Sequence, residues 1–139
     1  MNVLVDTSVW SLALRRRRPR EAAEAAELAE LIREGRATLL GAVRQELLSG
    51  VADERHFHTL RDSLRAFPDV AIEAGDHEEA AAFFNACRRR GIQGSNTDFL
   101  ICAVAARRSL GILTTDADFS GFAKVLPIRL HAPRETASG

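Results

Sequence analysis

The chain has 139 residues, of which 46% are hydrophobic and 27% charged, with 19 basic residues balancing 19 acidic ones. A single domain of this length buries roughly 70% of its extended surface, so it can form a core without disulfides or a structural metal. Its two cysteines, Cys87 and Cys102, lack the spacing of a zinc site or a disulfide scaffold, and the balanced charge argues against a protein held on nucleic acid by bulk charge alone.

The N-terminal half alternates between short apolar runs and helical patterns. Residues 2–5 predict a strand, and Asp6, Thr7 and Ser8 after it are typical helix-capping residues. A first helix is expected from Thr7 to about residue 17, before Pro19. Further helices are predicted at 20–34, 42–48 and 53–67, and a strand at 37–40. In the helix at 20–34 the residues expected to face the core are Ala25, Leu28, Leu31 and Ile32.

The C-terminal half continues the alternation. Residues 70–72 predict a brief strand or an extended link, and 76–90 a helix with Phe83 and Cys87 inward. Ser95, Asn96 or Thr97 can cap a helix that runs to residue 108 and is apolar nearly all round, which predicts the central buried helix. A strand at 111–114, a helix at 116–122 and a strand at 125–130 follow.

This alternation is typical of an α/β domain with a mainly parallel central sheet, here of four to five strands flanked by helices. We expect one domain over residues 1–132 and a flexible C-terminal tail over 133–139. The longest mostly apolar run, 99–106, is too short to cross a bilayer. Because the strand at 2–5 leaves no room for a signal peptide, a reduced, cytoplasmic setting is the expectation.

Four acids stand at positions where a parallel sheet gathers functional side chains. Asp6 ends the first strand, Asp116 follows the strand at 111–114, Asp98 lies in the first turn of the apolar helix, and Glu46 lies in the helix after the second strand. All four can face the carboxyl edge, where α/β sheets bind ligands. Each also has a structural explanation: Asp6 and Asp116 as helix caps, Asp98 in a capping box with Ser95, and Glu46 facing water.

Taken together, the acids favour chemistry over capping. Carboxylates that converge repel one another unless a cation lies between them. Magnesium and manganese prefer oxygen ligands, and carboxylate-held ions of this kind activate water in phosphodiester hydrolysis. The spacing therefore favours a metal-dependent hydrolase, although the spacing alone is a weak signal.

The local sequence around the acids resembles that of a known family. The segments 3–8 (VLVDTS), 45–50 (QELLSG), 97–103 (TDFLICA) and 113–119 (LTTDADF) resemble the signature segments of PIN-domain ribonucleases, in particular the VapC toxins of bacterial toxin–antitoxin pairs.

The resemblance implies a metal-dependent endoribonuclease whose partners are RNA, a cognate antitoxin and a second copy of the chain in a homodimer. It implies that Asp6, Glu46, Asp98 and Asp116 hold Mg²⁺ or Mn²⁺. It also implies an assisting hydroxyl at Thr114, and Thr7 can act similarly. Asp118 is either a further acid of the site or a residue that caps the helix or faces solvent.

Several features leave other interpretations open. The basic run at 15–18 with Arg20 either contacts the RNA backbone or forms a solvated helix end that the helix dipole favours. Trp10 suits the core or a dimer contact better than base stacking. His56, His58, His77 and His131 share no ligand spacing, and we expect them at the surface.

Three other classes of protein compete with the nuclease interpretation. They are a non-catalytic PIN-like binding module, a haloacid dehalogenase-type phosphatase, and a receiver domain. The phosphatase motif needs a second Asp where this chain has Ser8, and the receiver domain needs a late Lys that Lys124 does not match.

Overall fold

The computed structural model describes residues 1–14 and 22–135, and in these the chain folds as the predicted α/β domain. The described residues form seven helices and four strands. In chain order they are β1 (Val3–Val5), α1 (Thr7–Leu14), α2 (Ala23–Arg33), β2 (Ala37–Thr38), α3 (Gly41–Leu48), α4 (Glu54–Leu64), α5 (Ala74–Arg88), α6 (Asn96–Arg108), β3 (Gly111–Leu113), α7 (Asp118–Ala123) and β4 (Arg129–Leu130).

The four strands form one parallel sheet in the order β2-β1-β3-β4. The chain starts at the inner strand β1, adds β2 on one side, and then returns to add β3 and β4 on the other side. The strand order therefore changes direction between β1 and β3, which is where such sheets bind ligands. Val5 pairs with Leu113 at the last position of both strands, so the residues that follow them start from neighbouring points.

The core lies around β1, β3 and α6. Every residue of β1 and β3 is buried, and α6 has six buried residues among its thirteen, which confirms the predicted central helix. Its N-terminus has the capping box expected from Ser95 and Asp98. The helix ends at Arg108, and its C-cap residue Ser109 adopts a left-handed conformation with φ of 55°.

Helix α5 packs on α6 through a buried charge. The Asp76 side chain is fully buried, and it accepts hydrogen bonds from Arg107 at 2.8 Å and from Arg108 at 2.6 Å. These guanidinium groups hold the pKa of the Asp76 carboxyl well below its usual range, although burial alone would raise it. This ion cluster lies at the C-terminal end of α6, and the site acid Asp98 lies at the other end.

Several predicted element boundaries are wrong. The strand predicted at 37–40 ends at Thr38, and Leu39 forms only a single parallel bridge with Asp69. Residues 70–72, predicted as a strand or a link, form a link. The strand predicted at 125–130 is reduced to β4. The N–H groups of Val125 and Leu126 donate to the Phe122 carbonyl and thus extend the turn after α7.

The second helix and the C-terminal segment also differ from the predictions. Ile32, predicted on the buried face of the second helix, is 41% exposed. His131, predicted at the surface, is half-buried and lies 2.7 Å from a carboxylate oxygen of Glu27. Arg134, in the predicted tail, binds the same Glu27 at 2.7 Å. The basic run at 15–18 with Arg20 lies outside the described residues. In the part of the chain that the structure covers, every helix is too short or too polar to span a bilayer.

Candidate active site

The ends of β1 and β3 bring three of the predicted site residues together. Asp6 follows β1 directly and is 5% exposed. Thr114 and Asp116 follow β3, and the Asp6 N–H donates to the Leu113 carbonyl at 2.9 Å, which locks the two strand ends side by side. The carboxyl edge of the sheet thus carries two carboxylates and a hydroxyl.

Two hydroxyl groups orient the Asp6 carboxylate. Ser8 Oγ and Thr114 Oγ1 each donate a hydrogen bond of 2.8 Å to Asp6 Oδ2. The Asp6 side chain therefore does not cap α1, which was the structural alternative for this residue. Its main-chain carbonyl instead accepts from Val9 and Trp10 in the first turn of α1.

Asp98 faces the same space from the first turn of α6. Its Oδ2 accepts from the Ser95 N–H at 3.0 Å, and its own N–H donates to Ser95 Oγ at 3.1 Å, so it serves as a cap. Burial raises the pKa of the Asp98 carboxyl, and the negative charges of Asp6 and Asp116 raise it further against the opposing effect of the Ser95 hydrogen bonds. Asp98 is therefore a cap and also part of a repulsive cluster of three carboxylates.

Asp116 shapes the loop that leads into α7. Its Oδ1 accepts from the Asp118 N–H at 2.9 Å, a turn that delays the start of α7 to Asp118 instead of the predicted 116. Asp118 is exposed, in agreement with the solvent-facing alternative. Thr114 Oγ1 accepts from the Asp116 N–H at 2.9 Å, so the same hydroxyl that binds Asp6 also holds the backbone of Asp116.

Glu46 reaches the site through Thr7. Its Oε1 accepts a hydrogen bond of 2.7 Å from Thr7 Oγ1, which joins α3 to the first residue of α1. Glu46 is exposed, and its hydrogen bond ties it to the residue that follows Asp6 in the chain.

The side chains suit a hard divalent cation but do not already form a closed metal cage. Within residues 1–14 and 22–135, no three carboxylate, imidazole or thiol side chains stand close enough to form a ready-made metal-binding group. Asp6, Asp98 and Asp116 nevertheless offer oxygen ligands only, which is the set that Mg²⁺ and Mn²⁺ prefer. A cation among them would oppose the burial and the neighbouring charges that raise the pKa of Asp98. Their remaining oxygens, Asp6 Oδ1, Asp98 Oδ1 and Asp116 Oδ2, accept no hydrogen bond from the described residues.

Other candidates from the sequence lie away from this chemistry. Trp10 is 2% exposed and its ring contacts the edge of Phe67, with 5.0 Å between centroids, so it belongs to the core. His56, His58 and His77 are exposed, as predicted. The interpretation of the sequence missed the contact between Ser8 and Asp6. The only signal for it was a hydroxyl residue two positions after the first acid.

Comparison with known proteins identifies the family. The model of the PIN domain family matches residues 3–125. The chain therefore belongs to the PIN-domain family, which confirms the resemblance and excludes the phosphatase and receiver-domain alternatives.

Similar proteins in this family include VapC ribonucleases. The chain is 32% identical over 136 residues to Ribonuclease VapC11 of Mycobacterium tuberculosis and to VapC ribonuclease Mb1587 of Mycobacterium bovis, with 88% of this chain and 92% of each relative covered.

Solved structures share the fold. FitAcB from Neisseria gonorrhoeae superposes with a TM-score of 0.73 at 22% identity, covering 94% of this chain and 97% of that one. VapBC2 from Rickettsia felis, solved with a DNA fragment from its promoter, superposes with a TM-score of 0.72 at 16% sequence identity. The match covers 94% of this chain and 98% of that one. The predicted parallel α/β architecture is thereby confirmed.

Proposed function

We propose that this chain is a metal-dependent endoribonuclease, the toxin of a toxin–antitoxin pair, that hydrolyses RNA phosphodiester bonds in the cytoplasm. The observation that carries the proposal is the meeting of Asp6, Thr114 and Asp116 at the adjoining carboxyl ends of β1 and β3; the pKa of Asp98, raised by burial and also by the charges of Asp6 and Asp116, supports it. Capping alone does not account for three mutually repelling carboxylates. The similarity to proteins named as VapC ribonucleases supplies the substrate class.

In this proposal Asp6, Asp98 and Asp116 hold Mg²⁺ or Mn²⁺ through oxygens that the described hydrogen bonds leave open. A bound ion of this type lowers the pKa of water and stabilises the leaving oxygen of a phosphodiester. Thr114 keeps Asp6 and the backbone of Asp116 at a fixed separation. Glu46, held through Oε1 by Thr7, keeps Oε2 for a water.

The test is cleavage of a structured RNA by the purified chain in Mg²⁺, in Mn²⁺ and in excess EDTA. We expect cleavage only with metal, and products with 5′-phosphate and 3′-hydroxyl ends, because a water attacks in line. Asp116→Asn should abolish cleavage. Asp62→Asn, which changes an exposed acid of α4 paired with Arg61, should leave it intact. Equal cleavage in EDTA, or 2′,3′-cyclic phosphate ends, would overturn the mechanism. A folded chain that binds RNA without cutting it would favour the non-catalytic module.

A protein antitoxin that covers the acidic edge is the proposed inhibitor. The Rickettsia felis neighbour is solved as VapBC2, which makes a two-component assembly the natural comparison. An Arg or Lys side chain of the partner, placed among the carboxylates, would replace the charge of the metal without any change of fold. Binding should weaken with salt and with Asp98→Asn. A complex that leaves the acids open and fully active on RNA would contradict this inhibition. The homodimer implied by the resemblance belongs to the same proposal, and its test is the molecular mass in solution.

A further inference from the structure

Ser8 lies in the first turn of α1, two residues after Asp6, and its hydroxyl has three polar neighbours. Ser8 Oγ lies 2.8 Å from Asp6 Oδ2, 3.1 Å from the Thr115 backbone nitrogen and 3.4 Å from Thr114 Oγ1. The residue is half-buried. It therefore connects the acid at the end of β1 to the loop that follows β3.

The chemistry of these neighbours fixes the direction of each hydrogen bond. A backbone N–H can only donate, so Ser8 Oγ is the acceptor toward Thr115. A serine hydroxyl carries one hydrogen, and it is directed at Asp6 Oδ2. Thr114 repeats the pattern: Oγ1 accepts from the Asp116 N–H at 2.9 Å and donates to the same Asp6 Oδ2 at 2.8 Å. Two hydroxyl hydrogens thus converge on one carboxylate oxygen.

We propose that Ser8 is a positioning residue of the acidic site, which holds Asp6 through Oδ2 and thereby presents Oδ1 as the metal-binding oxygen. The inference rests on the proposed function, in which the acids bind a divalent cation. With Thr114, Ser8 also attaches the loop that carries Asp116 to the Asp6 carboxylate. The pair sets both the rotation of Asp6 and its distance from Asp116.

Removal of the Ser8 hydroxyl has two local consequences. Asp6 Oδ2 keeps a single donor, so its carboxylate can rotate, and the Thr115 N–H loses its acceptor. Residues that orient a metal ligand in this way typically contribute about 10–100-fold to metal affinity. We therefore expect Ser8→Ala to bind Mn²⁺ about 10–100-fold more weakly than wild type.

The experiment is Mn²⁺ titration of the full chain by calorimetry, with each variant first checked for folding by thermal melting in EDTA. Ser8→Thr retains the hydroxyl and should bind Mn²⁺ nearly as well as wild type. Ser63→Ala is the matched control, because Ser63 Oγ donates to the Thr59 carbonyl on the exposed side of α4, away from the acids. It should bind Mn²⁺ as wild type does.

The outcomes separate this inference from the proposed function. If wild type binds Mn²⁺, Asp6→Asn does not, and Ser8→Ala binds as tightly as wild type, the role of Ser8 is refuted and the metal site stands. Equal weakening in Ser8→Thr and Ser8→Ala would also refute it, because the site would then respond to shape and not to the hydroxyl. If Ser8→Ala does not fold, Ser8→Cys, with its weaker donor, replaces it under the same criteria. A wild type that binds no Mn²⁺ defeats the proposed function itself.

Discussion

Arg134 ties the C-terminal segment to α2 through a buried carboxylate. Glu27 on α2 is 2% exposed and receives hydrogen bonds from Arg134 at 2.7 Å and from His131 at 2.7 Å. The other end of the Arg134 guanidinium binds Glu34. Burial raises the pKa of the Glu27 carboxyl, but hydrogen bonds from Arg134 and His131 outweigh it and lower the pKa from 4.5 to about 2. Arg134→Met keeps an unbranched apolar stem and removes these bonds.

The size of the effect follows from that shift. A pKa lowered from 4.5 to about 2 corresponds to about 3 kcal/mol of stability at neutral pH. Arg134 is 42% exposed, and solvent screening reduces its share, so we expect Arg134→Met to remove part of this stabilisation and not the whole. For a chain of this length each kcal/mol lost lowers the melting temperature by roughly 3–4 °C.

The pH dependence has a definite sign. Because the folded pKa of Glu27 is depressed, its stabilisation is fully present above pH 4.5 and is lost as the pH falls toward about 2. The difference in free energy of unfolding between wild type and Arg134→Met should therefore shrink to about half or less near pH 3.

The free energy of unfolding and the melting temperature of both proteins are measured by urea and thermal unfolding at about pH 7 and about pH 3. The control is Arg33→Met, since Arg33 on the same helix is 69% exposed and pairs only with Glu30 among the described residues. That change should cost at most about 0.5 kcal/mol. The reasoning about Glu27 is wrong if Arg134→Met has the same melting temperature as wild type at neutral pH, or if the difference in free energy of unfolding does not change with pH. Arg134 would then belong to a loose tail.

Two further predictions concern α6 and the neighbouring helix α5. Ser95→Ala removes the acceptor for the Asp98 N–H and should lower the free energy of unfolding by about 1 kcal/mol in urea melts; an unchanged midpoint would contradict the capping box. Burial raises the pKa of the Cys102 thiol, with Asp98 adding to it, and burial also raises that of Cys87. Both thiols should react with a thiol reagent only after denaturation, and rapid labelling of the native chain would count against the buried core.

The sequence was sufficient for the order of elements because helix starts and stops are local. The segment 95–108 shows this: capping residues at 95–97 and an apolar run predicted the buried helix that α6 forms. Strand ends were less accurate. Val125 and Leu126 are apolar residues whose pattern predicts a strand, yet their N–H groups donate to the Phe122 carbonyl and complete a helical turn. These backbone hydrogen bonds outweigh the strand preference of the side chains.

The positions of the acids could be predicted from topology, whereas their detailed contacts could not. Asp6 and Asp116 follow neighbouring parallel strands, so a parallel sheet alone places them together. The Ser8 bond to the loop at Thr115 joins residues 107 positions apart, and no sequence pattern reports such a pair. For the same reason Glu27 and Arg134, also 107 positions apart, gave no signal in a single sequence.

The central claim is that Asp98 belongs to a repulsive, metal-binding cluster and not only to a helix cap. The most direct test is thermal melting of wild type and Asp98→Asn in EDTA and then in Mn²⁺, beside an RNA-cleavage assay. The asparagine side chain can still accept the hydrogen bond from the Ser95 N–H. The substitution removes the negative charge of Asp98, which burial and the charges of Asp6 and Asp116 disfavour. The account predicts that the variant melts higher than wild type in EDTA, gains less from Mn²⁺, and does not cut RNA. A variant that melts lower in EDTA and still cuts RNA would contradict it.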